Sequence, residues 1–487
     1  MMKKLLFRAD GNPKIGLGHL YRLFALVELY KEKIDFVFVT KENSTIKVIP
    51  EDYEVDTIIN NIDIINEPNW LSKKYLPNEY IIIIDGYQFT QDYQKKLKSL
   101  GYTIMYIDDL ITNHQYADII VNHSEGLQEE SYTAEYYSLF ALGTQYAILR
   151  PSFLEATRKK RLIYNIDTVF VCFGGADMYD LSCKATKALL LFSKFKKIHI
   201  LLGGAYKHKH IFELQENNSN IYIHQNLQEK EIVSIMEQCN LAIAPASTTL
   251  YELCAIQMPI LSGYFVKNQL NIYNSFLKKG AIYGCGDFSN YSIQDFFESI
   301  QKITKLKEYN SSLKIQQELF DSQISNRFLQ LLNYAHLSIR KASKNDMLQV
   351  YNWSNDSIVR KNSYDSKPLI LENHKKWFTS KIKNEKTLFY IIEYNSIPAG
   401  MVRYEREEHH SVVGITIAEE FRGRKLAPLF LIKTAKKYFH KFEKPILAYI
   451  KKENTPSIKS FKKAGYQLYK EESFNEIDSY IYKLEKI

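Results

Sequence analysis

The sequence predicts an α/β protein: two successive doubly wound units, then a third unit of α+β type. Three observations carry this. From Leu5 to about residue 150, short apolar runs alternate with segments of helical period, the pattern of a parallel sheet covered on both faces. The alternation restarts after Arg150-Pro151, with runs at Thr168 to Phe173, Ile198 to Leu202, Leu241 to Ala244 and Ile260 to Tyr264. From Leu337 the runs adjoin one another, and Phe389 to Glu393 and Ile397 to Tyr404 flank Asn395-Ser396 as an antiparallel hairpin does. The expected divisions are 1–152, 153–335 and 336–487, and a chain of 487 residues suits three domains of about 150 each.

The first unit opens on Leu5 to Phe7, then Arg8-Ala9-Asp10-Gly11, then Gly16-Leu17-Gly18-His19, and then Leu20, Leu23, Phe24 and Val27 at helical spacing. It reads as strand, glycine loop, helix. The glycines let backbone approach a ligand, and the helix start offers free N–H groups and the positive end of a dipole. His19 stands there, where imidazolium is disfavoured, so it is expected to be neutral and able to take a proton. The third glycine and the downstream acid of a dinucleotide fingerprint are out of register, which argues against NAD. Further strands are expected at Phe36 to Val39, Ile81 to Ile84, Thr103 to Ile107 and Ile119 to Val121. Asp85, Asp108 and Asp109 follow two of them, at the sheet edge where open α/β folds bind ligands, although Asp after a strand is also a routine turn former.

In the second unit Gly174-Gly175 and Gly203-Gly204 each end a strand. Pro245-Ala246-Ser247-Thr248-Thr249-Leu250-Tyr251-Glu252 leads from strand to helix and gathers hydroxyls and free N–H groups where an anion would sit. Glu252 fits either a capping acid or a partner for a ribose diol. Asn268-Gln269 follow the next strand at the same edge. Residues 287–335 read as mainly helical, with Phe320, Ile324, Phe328 and Leu331 spaced to pack back on the domains.

Hydrophobic residues make up 45% and charged residues 24%, an ordinary globular balance. No apolar run approaches the roughly 20 residues that span a bilayer, and the apolar stretch after Lys3-Lys4 is broken at Arg8 and Asp10, unlike a signal peptide. No membrane partner is expected. The five cysteines (Cys172, Cys183, Cys239, Cys254, Cys285) include no C-x-x-C pair, which fits a reduced, cytoplasmic protein. The excess of 64 basic over 55 acidic residues gives +9 and suits polyanionic small molecules. The basic residues are dispersed, so nucleic acid is not expected.

The motifs of the first two units, in this order, resemble the UDP-sugar hydrolases of pseudaminic acid biosynthesis: Arg8-Ala9-Asp10, Gly16-Leu17-Gly18-His19, Tyr21-Arg22, Gly174-Gly175, Ser247 to Glu252 and Asn268-Gln269. The resemblance covers about residues 1–335 and implies a GT-B-like pair of Rossmann-type domains. It also implies metal-independent loss of UDP from UDP-2,4-diacetamido-2,4,6-trideoxy-β-L-altropyranose by water attack at the anomeric carbon. Carried over by motif, His19 becomes the catalytic base. Asp10, Gly18, Arg22, Gly174, Gly175, Ser247, Thr248, Glu252, Asn268 and Gln269 become substrate contacts.

In the third unit Glu419-Glu420-Phe421 lead into Arg422-Gly423-Arg424-Lys425-Leu426-Ala427, which resembles the R-x-x-G-x-G/A pyrophosphate loop of GNAT N-acetyltransferases, with Lys425 in place of a glycine. Asn454-Thr455-Pro456-Ser457, Phe461 and Gly465-Tyr466 resemble the second cofactor segment of that family. The resemblance covers residues 337–487 and implies acetyl-CoA as co-substrate, held by Arg422 to Ala427, Asn454 and Ser457. Trp353 to Asp356, Arg360, Ser363, His374 and Trp377-Phe378 resemble the acceptor side of GNATs that acetylate nucleotide-linked amino sugars, so Asn355 and Trp377 are expected to touch substrate. Phe461 replaces the usual general-acid tyrosine and the strand Val412 to Ala418 carries no carboxylate. Tyr449 and Tyr466 are then the catalytic candidates, with His374 behind them. Together the resemblances imply a bifunctional enzyme that acetylates the 4-amino group of a UDP-4-amino-4,6-dideoxy sugar and then releases UDP. The alternatives are a GNAT carrying a non-hydrolytic UDP-sugar-binding module, and a GT-B glycosyltransferase.

Overall fold

In the computed structural model, which describes residues 3–306, 308–474 and 476–486, strand β1 (Lys4–Ala9) is buried at every position but its first. It lies at the centre of a parallel sheet completed by β2 (Phe36–Lys41), β3 (Val55–Ile58), β4 (Tyr80–Asp85), β5 (Thr103–Ile107), β6 (Ile119–Asn122) and β7 (Leu139–Leu142). Their order is β3-β2-β1-β4-β5-β6-β7. The chain winds outwards from β1 in one direction and from β4 in the other, which leaves a crevice at their carboxyl ends. Asp10 to His19 follow β1, and Asp85 ends β4.

The second sheet repeats this plan with β8 (Thr168–Val171), β9 (Lys197–Leu201), β10 (Ile221–His224), β11 (Leu241–Pro245), β12 (Ile260–Tyr264) and β13 (Tyr283–Asp287), in the order β10-β9-β8-β11-β12-β13. Its crevice lies beyond β8 and β11, where Gly174-Gly175 and Ser247 stand. The helix Ile324–Ala335 then returns to the first unit. There the Tyr30 hydroxyl donates to the Phe328 carbonyl at 3.0 Å, the Tyr334 hydroxyl to Tyr137 at 3.3 Å, and Arg327 to Gln145 at 3.1 Å.

The third sheet has β14 (Leu337–Lys341), β15 (Thr387–Tyr394), β16 (Ile397–Arg406), β17 (Ser411–Ile417), β18 (Ile446–Lys451), β19 (Gln467–Phe474) and β20 (Ile477–Leu484), in the order β14-β15-β16-β17-β18-β20-β19. Asn395 and Ser396 have φ of 52° and 63°, the left-handed pair that a two-residue hairpin turn needs. The β17–β18 pair is parallel and joined only at Ser411↔Ile446 and Val412↔Leu447. Beyond Val412 the two strands part and leave a notch. The third unit also packs on the first: His440 stacks on Tyr136 at 3.8 Å, and Lys433 lies 4.1 Å from the Tyr334 ring while donating to its carbonyl.

Among the described residues no helix is long and apolar enough to cross a membrane.

Candidate active sites

At the first crevice His19 is the second residue of the helix Gly18–Tyr30 and is buried. Its Nδ1 lies 2.7 Å from Asp85 Oδ1. An ionised carboxylate can only accept, so this contact places the proton on Nδ1 and leaves Nε2 as the basic nitrogen. Nε2 has no partner among the described residues. Tyr87 meets the imidazole edge-on at 4.7 Å. Arg22, one turn along the helix, grips Asp85 with Nε and Nη2, both at 2.6 Å, and reaches Asp109 with Nη1 at 3.1 Å. Burial works against the Asp85 carboxylate, but Arg22 and His19 outweigh it and hold it below its ordinary range. The sequence marked the helix start at His19 but not the buried carboxylate that faces it.

Of the acids that follow strands, Asp85 is the one that touches His19. Asp108 accepts from the backbone of Leu110 and Ile111 and from the Tyr132 hydroxyl, so it shapes a loop. Two expected substrate contacts are occupied otherwise. Arg22 spends its donors on Asp85 and Asp109, and its Nη2 also lies 3.3 Å from His19 Nδ1. Asp10 is bound bidentately by Arg8, which also grips the buried Glu67, and it accepts from Lys41 N at 2.8 Å and from Gln88 at 3.0 Å. Removing either partner from such a buried pair costs about 3–5 kcal/mol, which marks Asp10 as a structural ion. Gly18 lies open, since a Cβ there would meet nothing within 4 Å.

Across the crevice, the helix Thr248–Ile256 starts at Ser247, whose side chain makes no capping bond. The Ser247 hydroxyl and the first N–H groups of that helix are free for an anion, with Thr248 exposed beside them. Gly174 has φ +84° and, like Gly175, an open Cβ side. Glu252 neither caps the helix nor stands free, because Arg150 holds it at 2.8 Å and 2.7 Å. This bond ties the segment that links the two units to the second unit. Gln269 is turned inwards, accepting from Phe265 N at 3.0 Å, while Asn268 is exposed. Sequence reasoning missed His123 and Tyr251, which stack at 4.8 Å and join the two units. Burial, reinforced by the Arg22 charge, pushes the His123 imidazole down to about 3. Its place directly after the carboxyl end of β6 was the signal that could have found it.

In the third unit a cavity of about 790 Å³ runs from the notch to the Arg422–Ala427 segment. Gly423, Lys425, Leu426, Ala427, Asn454 and Ser457 line it, as does Tyr449. The free N–H groups at the start of the helix Ala427–Phe439 open on this space, an arrangement that fits a pyrophosphate. Lys425 has φ +58°, so a lysine occupies the left-handed position that favours glycine. Asn454 caps the helix Thr455–Lys463 by accepting from Ser457 N. Arg422 is less available than its motif implied, since Nη2 binds Asp356 at 2.8 Å and Nε binds the Ile417 carbonyl. Arg424 lies 5.0 Å from the Phe421 ring.

Five expected residues do not line this cavity: Arg424, Tyr466, Asn355, Trp377 and His374. Tyr466 is buried edge-on against Phe461, and burial pushes its hydroxyl well above the ordinary range, so it is not placed to serve as the acid. Asn355 is engaged with Tyr351 and with the backbone of Leu369. Trp377 packs on Phe389 and lies under the Arg403 guanidinium. His374 is core as well, with its pKa lowered by burial. The side chain of Tyr449 borders the notch, and burial raises its pKa.

Residues 336–467 match the family model described as an acetyltransferase (GNAT) domain. Over the N-terminal half, the chain is 28% identical to a UDP-2,4-diacetamido-2,4,6-trideoxy-β-L-altropyranose hydrolase of Campylobacter jejuni, an alignment covering 57% of this chain and 97% of that protein. The chain joins a hydrolase-like part to a GNAT-type part. The spore coat polysaccharide biosynthesis protein SpsG of Bacillus subtilis is 23% identical over 57% of this chain and 82% of its own. An uncharacterised protein of Methanocaldococcus jannaschii is 26% identical over 97% of this chain and 98% of its own length. Among solved structures, a domain from the same archaeon overlaps 31% of this chain and 98% of its own with 23% identity and a TM-score of 0.28.

Proposed function

We propose that this chain carries two consecutive steps on one nucleotide sugar. The first transfers an acetyl group from acetyl-CoA to the 4-amino group of a UDP-4-amino-4,6-dideoxy sugar. The second hydrolyses the acetylated product, a UDP-2,4-diacetamido-2,4,6-trideoxy-β-L-altropyranose, to UDP and free sugar, a reaction of pseudaminic acid biosynthesis. The observation that carries the reading is the His19–Asp85 pair at the crevice of the first sheet, held in the same chain as a GNAT-type notch. A module that only bound UDP-sugar would have no use for a histidine whose basic nitrogen is kept free by a buried carboxylate.

In the hydrolytic step a water oxygen attacks the anomeric carbon from the His19 side, and its proton passes to Nε2. The carbon–oxygen bond to UDP breaks, and the diphosphate leaves with the electron pair. Ser247, Thr248 and the free N–H groups behind them would meet its charge, and Asp85 would steady the imidazolium that forms. In the acetyl step the amine attacks the thioester carbonyl and the thiolate leaves. Tyr449, kept protonated at neutral pH, would give its proton to the thiolate and be restored by the proton that the acylated nitrogen sheds, and the Arg422–Ala427 segment with Asn454 and Ser457 would hold the CoA.

The test supplies the whole protein with such a sugar and acetyl-CoA, and follows N-acetyl sugar and UDP by mass spectrometry. UDP is expected only after acetylation, and absence of acetyl transfer to any such sugar overturns the reading. His19→Ala is expected to lose about 10² to 10⁴ in UDP release with UDP binding intact by calorimetry. Normal hydrolysis by that variant would assign the base elsewhere.

A further inference from the structure

The acetyltransferase cavity holds a cation that the reaction above does not use. Arg403 stands on β16 opposite Gly414 of β17, just beyond the last β17–β18 pair. Gly414 lies beneath the guanidinium, where a Cβ would stand 3.8 Å from Nη2, an ordinary contact distance. The neighbouring Tyr404 faces the other side of the sheet, where its hydroxyl meets Thr434 of the helix Ala427–Phe439. Arg403 therefore faces the helix Leu371–Lys383, with its guanidinium 5.0 Å from the Trp377 ring.

Its charge is only partly met. Nε lies 2.7 Å from Glu405, but Glu405 also binds Lys381 at 2.5 Å, so two cations share one carboxylate. The terminal nitrogens of Arg403 donate to no described residue, and the side chain lines the cavity. Arg8 and Arg22 differ: Arg8 meets both Asp10 and Glu67, and Arg22 meets both Asp85 and Asp109. Burial lowers the Arg403 pKa more than Glu405 restores it, whereas Arg8 and Arg22 are raised. A rigid guanidinium fork left open in a cavity is suited to a phosphate.

We propose that Arg403 binds a phosphate of the acetyl acceptor and makes the acetyltransferase selective for anionic, phosphate-bearing amines. CoA also carries phosphates, but the segment suited to its pyrophosphate begins at Arg422, beyond Ile417. Gly414 lies three residues before Ile417, about 10 Å along the strand. This inference rests on the acetyl transfer proposed above, and not on the identity of the sugar or on UDP release.

The test uses the full chain with two acceptors, a UDP-linked 4-amino sugar and the uncharged methyl glycoside of the same sugar. A charge-assisted bond of about 1.5–3 kcal/mol corresponds to a rise of roughly 10- to 150-fold in KM for the UDP-linked acceptor in Arg403→Gln. The KM for acetyl-CoA and the kcat/KM for the methyl glycoside should stay unchanged, and Arg403→Lys should fall between. Equal losses on both acceptors would mean a structural role, and a raised KM for acetyl-CoA would place the phosphate on the cofactor; either overturns the proposal. So does a wild-type preference for the neutral glycoside. If the wild type ignores the UDP-sugar yet acetylates another phosphorylated amine in an Arg403-dependent way, the sugar assignment fails and this inference stands.

Discussion

Replacing Asp85 by Asn tests the proposed hydrolytic cluster at its most buried point. The carboxylate has no exposure to solvent and takes hydrogen bonds from His19 and from two nitrogens of Arg22. Asn keeps the shape and one acceptor but removes the charge. Arg22 then retains only Asp109, at 3.1 Å. Breaking a buried pair from one side costs about 3–5 kcal/mol, and the surviving acceptor puts this change near 3. At roughly 2–4 °C per kcal/mol for a domain of this size, the melting of the hydrolase-like part should fall by about 6–12 °C. The chemical effect is separate. An amide nitrogen facing Nδ1 can donate to it, which moves the imidazole proton to Nε2 and removes the base, so UDP release should fall by about 10² to 10⁴. Acetyl transfer should be untouched. Calorimetry and a coupled UDP assay read the two effects independently. The acid limb adds a third: a carboxylate held below its ordinary 3.8 stabilises the fold above that pH, and the contribution is lost as pH falls through the lower folded value. The variant should lack that loss. Wild-type hydrolysis together with an unchanged melt would refute the assignment of Asp85 as the partner of His19.

Tyr449→Phe should lower kcat for acetyl transfer by about 10² or more with KM for acetyl-CoA unchanged; steady-state kinetics with both substrates varied will show it. Lys425→Gly should remove the left-handed strain at φ +58°, worth about 1–2 kcal/mol, and raise the melting temperature of the acetyltransferase part without loss of acetyl-CoA binding. His123 is held down to about 3 by burial and by Arg22, against an unfolded value of 6.5. The unfolded chain therefore binds the extra proton first, and stability falls as pH drops from 6.5 towards 3. His123→Gln should flatten that slope in melts recorded across this range.

Much of the frame was legible because buried parallel strands write themselves as apolar runs. Tyr80–Asp85 shows this, with Asp85 marking where the strand meets the crevice. The helix start at His19 was legible for a similar reason: two glycines precede an apolar stripe of helical period. Charge pairing was harder to read, because the partners lie far apart in sequence. Arg8-Ala9-Asp10 has the form of a binding loop, yet its ions are consumed by Glu67, 59 residues from Arg8. Arg22 likewise belongs to Asp85 and Asp109, and Glu252 to Arg150. Arg403 failed in the other direction. On a strand read as part of a plain hairpin, nothing marked one arginine as open to a cavity, since that depends on the gap between β17 and β18 and on Trp377 from a distant helix. Lys425 shows a middle case, because the motif calls for glycine there and the backbone still takes the glycine conformation.

The helix Ile324–Ala335 has a practical consequence for anyone who would divide this chain. It comes at the end of the hydrolase-like sequence, but its Tyr334 both bonds to Tyr137 and carries Lys433 of the acetyltransferase part on its ring. The first sheet, this helix and the third sheet thus share one seam, with Tyr136 against His440 beside it. A cut near residue 335 would bare aromatic rings on one fragment and strand the Lys433 ammonium, normally covered, on the other. The hydrolase-like and GNAT-type parts are bolted together, not leashed by a tether, and on the two-step reading proposed above the distance an acetylated intermediate would cross is set by the protein itself.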